Sequence, residues 1–223
     1  MKRKLPGFTL IELLVVISIL GILAALLLPA LSAGKERGRT AACLSNEKQI
    51  LYALRMFADE NDGFYPVSGG EISWDLIDNT THKHSWLQQI LPYAGNTNLY
   101  RCPNDKLSGW SYFNSARAAF LLATNAPAAV SVKRIKYPAA FVVSADTLWP
   151  DGSSRNDADK DDYVQNCVGG PTNGIPFKEW RIHSGGQNVM FDDGHAQRYP
   201  GFDPGAMTFR YDRMQGWSTN RFD

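Results

Sequence analysis

Cysteine is scarce in this chain. Cys43, Cys102 and Cys167 are the three among 223 residues, and no two stand as a CxxC pair. That spacing excludes the zinc-finger and zinc-ribbon patterns, in which closely spaced cysteines share a structural metal. Neither sign of charge is in excess. Lys and Arg number 23 against 22 Asp and Glu, so no broad attraction to nucleic acid or to an anionic membrane surface is expected. No GxSxG, HExxH, P-loop or GxGxxG pattern occurs, and the common signatures of hydrolases, zinc proteases and nucleotide enzymes are therefore missing. His82 and His84 flank Lys83 in a polar stretch and read as solvated. There is no internal repeat and no long low-complexity run. These absences point away from an enzyme.

What is present is concentrated at the N-terminus. Residues 3–28 read RKLPGFTLIELLVVISILGILAALLL. A basic tip of Lys2, Arg3 and Lys4 leads to Gly7-Phe8, and a long apolar run follows with one charge inside it, Glu12. As a helix, residues 8–33 rise roughly 39 Å, enough for the ~30 Å hydrocarbon layer. A carboxylate in such a helix costs about 2.5–3.5 kcal/mol on insertion scales, so it is retained where it is used. A plain membrane anchor is one reading of the segment. A secretory signal peptide, with small residues at Ala30-Leu31-Ser32-Ala33, is another. Against the second, the apolar stretch is long and Glu12 interrupts it. The basic tip places the N-terminus in the cytoplasm and the rest of the chain beyond the inner membrane.

These residues resemble a known family. The basic leader, Gly7, and then Phe8-Thr9-Leu10-Ile11-Glu12-Leu13-Leu14-Val15-Val16-Ile17 look like the prepilin signature of type IV pilins and type II secretion pseudopilins. The resemblance implies that a prepilin peptidase cuts between Gly7 and Phe8. The new N-terminal Phe8 is then N-methylated, and a leader of residues 1–7 is lost. After cleavage the Phe8 amine lies one helical turn from Glu12. In a filament the amine of one subunit can approach Glu12 of its neighbour, and two charges in apolar surroundings compensate one another. The resemblance thus gives Glu12 a part in setting assembly register. Pro29 removes one backbone donor from the helix, and a proline at this distance from the mature start is usual in these proteins.

The helix is expected to continue over residues 34–60. Cys43, Ile50, Leu54 and Phe57 fall on one stripe, while Lys35, Arg39, Glu47 and Arg55 are read as lying mostly elsewhere. This amphipathic half can cover a sheet with one face. Asn61-Asp62-Gly63 supplies the stop. The remaining residues, 61–223, suffice for a globular head. Ser85 to Leu91 before Pro92 reads as a short helix, Asn114 to Leu122 as helix or strand, and Ala139 to Ala145 as a buried strand. Asp193-Gly194, between 188–192 and 195–199, is a hairpin signal with positive φ expected at both positions. The six tryptophans all lie beyond the predicted long helix and read as core or as a stacking surface for sugars or polymers. The expected fold class is α+β and pilin-like: a long N-terminal helix packed on an antiparallel β-sheet head.

Residues 181–195 carry a second resemblance. His183, nine residues, and then Asp193-Gly194 look like the H-X9-DG region that accompanies prepilin N-termini in some bacteria. His183, Asp193 and His195 are metal-ligating types; they read either as a converging site or as a turn with a histidine bonded to it. Asp157, Asp159 and Asp161 mimic the start of an EF-hand loop, but the required glycine and terminal glutamate are missing. Type II secretion pseudopilins carry calcium in a C-terminal loop, so calcium and a solvated acidic loop both stand as readings. No cofactor is required. An exported head permits a disulfide, and Cys43 with Cys102 is the pair the resemblance favours.

The function that the resemblance implies is a prepilin that becomes a subunit of a type IV pilus or a type II secretion pseudopilus. A membrane-anchored adhesive or ligand-binding minor pilin is the alternative. The implied partners are the prepilin peptidase, an inner-membrane assembly platform, other pilin-like subunits and the membrane itself. No nucleic-acid partner is expected. The chain starts as a single-pass inner-membrane protein with a periplasmic head and moves to a filament or the cell surface on assembly.

Overall fold

Helix α1 runs from Leu10 to Glu60, 51 residues with Pro29 inside it. It belongs to a computed structural model that describes residues 9–67, 84–106, 110–115, 117–120, 129–147, 182–183, 185–203, 205–212 and 214. The chain divides into two compact units, Met1–Gly38 and Arg39–Asp223. The second unit thus takes in α1 from Arg39 onward.

In the first unit every large apolar side chain from Leu10 to Leu31 is exposed. This part of α1 is long and apolar enough to cross a membrane. Its polar exceptions are satisfied locally. Ser18 Oγ donates to the Leu14 carbonyl at 2.7 Å, and Ser32 Oγ donates to that of Pro29 at 2.9 Å, which hides each hydroxyl against the helix.

The C-terminal part of α1 buries Cys43, Glu47, Ile50, Leu51, Ala53, Leu54 and Ala58. Phe57 is only half-buried and packs edge-on against Tyr93, with ring centroids 6.0 Å apart. Glu47 corrects the sequence reading: it sits four residues after Cys43 and three before Ile50, on the apolar stripe itself. The helix stops where the sequence expects. Asp62 and Gly63 take positive φ, 55° and 82°, and the Gly63 N–H donates to the Ala58 carbonyl at 2.8 Å, satisfying an end carbonyl as a left-handed cap does.

Helix α2, Trp86–Ala94, carries a complete capping box from Ser85 and Gln88 and ends on Gly95 in the left-handed region. It continues through Pro92, where the sequence places its end. A proline this near the C-terminus removes one hydrogen bond that the apolar face, with Trp86, Leu87 and Ile90 buried, outweighs. The uncertain stretch from Asn114 resolves into the end of strand β1, Tyr112–Asn114, and a single helical turn, α3, Arg117–Phe120.

Strand β2, Val142–Asp146, is fully buried, as the apolar run predicts. Strands β3, Gln187–Phe191, and β4, Ala196–Tyr199, complete an antiparallel sheet of order β1-β2-β3-β4. The register pairs Tyr112 with Asp146, Ala145 with Val189 and Met190 with Ala196. The hairpin turn departs from the expected type. Gly194 has φ of 97° while Asp193 is not left-handed. The Gly194 N–H donates to the Phe191 carbonyl and the Phe191 N–H to that of His195, both at 3.0 Å. This is a three-residue loop with a glycine bulge, which needs one positive φ and not two.

Both sheet faces are covered. On one side α1 and α2 bring Ile50, Leu54, Trp86 and Ile90 against Tyr112, Val143 and Met190. On the other, Met207 and Phe209 close over Phe113, Val142, Ala145, Val189 and Phe191. Together these arrangements make an α+β, pilin-like fold.

Candidate functional site

The first candidate region is the start of α1. Gly7 and Phe8 lie outside the described residues; Glu12 lies within them. The Thr9 N–H donates to Glu12 Oε2 at 2.8 Å and the Thr9 hydroxyl donates to the same oxygen at 2.7 Å. In return the Glu12 N–H donates to Thr9 Oγ1 at 3.3 Å. Thr9 and Glu12 are therefore the two halves of a capping box. Within the single chain the carboxylate has partners, so the residue that breaks the apolar run also seals the exposed end of the helix.

The second region is the histidine-to-hairpin segment. His183 is buried and far from the hairpin turn in its contacts. Its Nδ1 lies 3.1 Å from Thr40 Oγ1, on α1, and 3.1 Å from Asn104 Nδ2. Its Nε2 lies 3.4 Å from Cys102 Sγ and 3.3 Å from Asp146 Oδ2. Cys102 is joined to Cys43 of α1 in a disulfide, with Cα atoms 4.9 Å apart. The bridge closes 59 positions of sequence, and chain entropy alone makes such a closure worth about 4 kcal/mol.

At the other end of the segment Asp192 reaches α1 again. Tyr65 Oη donates to Asp192 Oδ1 at 2.6 Å. Arg55 Nη2 stands 3.1 Å from Asp192 Oδ2 and also donates to the Asp192 carbonyl. Burial raises the Asp192 carboxyl, opposed by the Tyr65 hydroxyl and the Arg55 charge. Burial, and then the Asp192 charge, push the Tyr65 phenol far up, so it remains a donor. The segment thus fastens β3 to α1 at two places, Thr40 and Arg55, about 22 Å apart along the helix.

Asp193 and His195 occupy the turn itself and bond one another there through Asp193 Oδ1 and His195 Nδ1. The structure does not gather them with His183. Among the described residues the grouping of potential metal donors is Cys43, Cys102 and His183. Asp157, Asp159 and Asp161 lie outside the described residues, as does Cys167.

Sequence reasoning missed a buried acidic pair between α1 and the sheet. Glu47 and Asp146 are both fully buried. Asp146 is the cross-strand partner of Tyr112, a residue of the helix-facing core, so its side chain shares that face. Burial, and then the Asp146 charge, hold the Glu47 carboxyl well above the ordinary carboxylate range. Burial also raises Asp146, against the lowering effect of His183. Among the described residues neither Glu47 oxygen finds a hydrogen-bond partner. The available signal was positional: Glu47 falls on the stripe defined by Cys43, Ile50 and Leu54.

A long apolar helix capped by Thr9 and Glu12, with its second half clamped to an antiparallel sheet, defines a pilin-type subunit. Residues 3–28 match the model described as the prokaryotic N-terminal methylation motif. The chain is 32% identical to the type II secretion system core protein G of Aeromonas hydrophila over 104 residues, 47% of this chain and 68% of that one. With the protein of the same description in Pseudomonas aeruginosa it shares 40% over 69 residues, 31% of this chain and 49% of that one. With the type IV wide pilus major component PilA4 of Thermus thermophilus it shares 37% over 74 residues, 33% of this chain and 56% of that one. The chain spans between about half and two thirds of the length of these relatives. It belongs to the pilin and pseudopilin family. No solved structure matches it.

Proposed function

We propose that this chain is a prepilin, cut between Gly7 and Phe8, N-methylated on Phe8, and assembled as a structural subunit of a type II secretion pseudopilus or a type IV pilus. The observation that carries the reading is the methylation motif over residues 3–28, set on a membrane-length apolar run, residues 8–33, whose one charge is Glu12. The residues concerned serve as a substrate for processing and not as catalysts. The partners are a prepilin peptidase, an inner-membrane assembly platform and other pilin-like subunits. The helix inserts with the basic tip on the cytoplasmic side and the head on the periplasmic side.

Glu12 has two uses in this reading. Before assembly it caps its own helix through Thr9. In the filament it receives the methylated amine of a neighbouring subunit, which offsets the burial of both charges. Membranes of cells that hold the native machinery, treated with a cross-linker, should give a ladder of multiples of the wild-type chain. The Glu12→Ala chain should still be cleaved and should lose the ladder. A ladder unchanged in Glu12→Ala, or absent from the wild type, contradicts this reading.

A further inference from the structure

The cluster beneath the disulfide has the donors of a metal site in its reduced form. Cys43, Cys102 and His183 each bring one donor atom, and the three lie within 4.8 Å of one another. Cys43, Cys102 and Asp146 are fully enclosed and His183 is 1% exposed. Around a tetrahedral zinc ion, with bonds of about 2.0–2.1 Å to nitrogen or oxygen and about 2.3 Å to sulfur, neighbouring donors stand about 3.3–3.8 Å apart. The observed separations from His183 Nε2, 3.4 Å to Cys102 Sγ and 3.3 Å to Asp146 Oδ2, fall in that range. A charge-assisted hydrogen bond between imidazole and carboxylate is shorter, about 2.7–2.9 Å. Asp146 Oδ2 is buried and lies against the same His183 Nε2, so a carboxylate oxygen stands beside the cluster. The other ring nitrogen, Nδ1, faces the Thr40 hydroxyl at 3.1 Å, the kind of contact that orients a ligating imidazole.

We propose that the reduced chain binds a divalent ion of the zinc class through Cys43, Cys102 and His183, with the Asp146 carboxylate beside the imidazole. The three ligands come from α1, from the turn after the short 3-10 helix Thr97–Tyr100, and from the residues before β3, so no local CxxC spacing announces them. The same cysteines then serve in two states. Oxidised, they tie α1 to the turn directly. Reduced, they tie it through the metal and add His183 to the link. Reduction adds two electrons and two protons to the S–S bond. A dithiol supplies them and closes to its own disulfide. Metal binding then releases the two thiol protons, since the thiolate is the ligand. Reoxidation by a disulfide-exchanging oxidant returns two electrons to that oxidant and sets the ion free.

The test uses the full chain in detergent, as Cys167→Ser to leave two thiols, reduced with a phosphine and desalted without oxygen. Cobalt(II) should bind one ion per chain, with the visible bands of a tetrahedral site and a thiolate charge-transfer band in the near ultraviolet. Zinc(II) should displace it. His183→Ala should weaken cobalt binding at least tenfold. A variant-free readout stands beside these: zinc should slow alkylation of Cys43 and Cys102 at least tenfold, mapped by peptide mass. No charge-transfer band, a band of unchanged affinity in His183→Ala, or alkylation indifferent to zinc overturns the proposal.

Discussion

Tyr65 Oη and Asp192 Oδ1 meet at 2.6 Å, and through that bond the chain just beyond α1 holds the loop between β3 and β4. Both side chains are buried, and Arg55 closes the group from the helix. A buried acceptor stripped of its donor costs about 1–3 kcal/mol. Tyr65→Phe should therefore lower the stability of the head by about that amount, read as a shift of the thermal midpoint. Asp192→Ala leaves the Tyr65 phenol without its acceptor and takes the carboxylate from Arg55, which keeps the Asp192 carbonyl, so it should cost more than Tyr65→Phe. If the two substitutions together cost the simple sum of each alone, the three residues do not act as one network.

Glu47 makes the head sensitive to pH in an unusual direction. Burial holds its folded carboxyl well above the ordinary glutamate range, so between that range and the raised value the folded state binds the extra proton. Stability then falls as pH rises through the window, because stability rises with pH only where the unfolded state binds more protons. Unfolding by urea should show a larger free energy near the bottom of the window than at neutral pH. Glu47→Gln keeps the shape and removes the ionisation, so it should flatten this slope and stabilise the head at neutral pH. Asp146 is raised as well, and a smaller slope of the same sign should remain. A steeper slope in Glu47→Gln contradicts the assignment.

Gly186 is tied to one conformation by its surroundings. Its φ is 157°, and a Cβ built there would stand 2.3 Å from the Tyr199 carbonyl oxygen, a backbone atom across the β3–β4 pair. Backbone cannot swing aside as a side chain can, so the strand entrance must open to admit a methyl group. Gly186→Ala should cost about 2 kcal/mol or more, since strain and lost strand pairing are among the mechanisms behind large effects. Hydrogen exchange at Gln187 and Tyr199 should rise before that at β2. A substitution within about 0.5 kcal/mol of wild type contradicts the close approach.

Some of this was readable from residue order and some was not. The α1 stripe, its stop at Asn61-Asp62-Gly63 and the apolar run of β2 are local patterns, each set by spacing within a few residues. The hairpin was legible as a hairpin, yet its loop type was not, because Asp-Gly serves both a two-residue turn and a three-residue turn with a bulge. The setting of His183 was hidden for a different reason. Its partners Thr40, Cys102 and Asp146 arrive from distant parts of the chain, 143 residues away in the case of Thr40, and no local spacing records such meetings. Glu47 was misread because charge was given more weight than position. The fold buries it on the apolar stripe and leaves its proton to meet the cost.

The central claim is that this chain is processed as a prepilin, and the mature N-terminus tests it most directly. Mass spectrometry of the protein from membranes that contain the native prepilin peptidase should find a chain that starts at N-methylated Phe8, with residues 1–7 gone. A start near Ala33 or Gly34 would instead mean a secreted protein freed of its apolar helix. An intact Met1 in the presence of active peptidase would leave a plain membrane anchor. Either of those results contradicts the account.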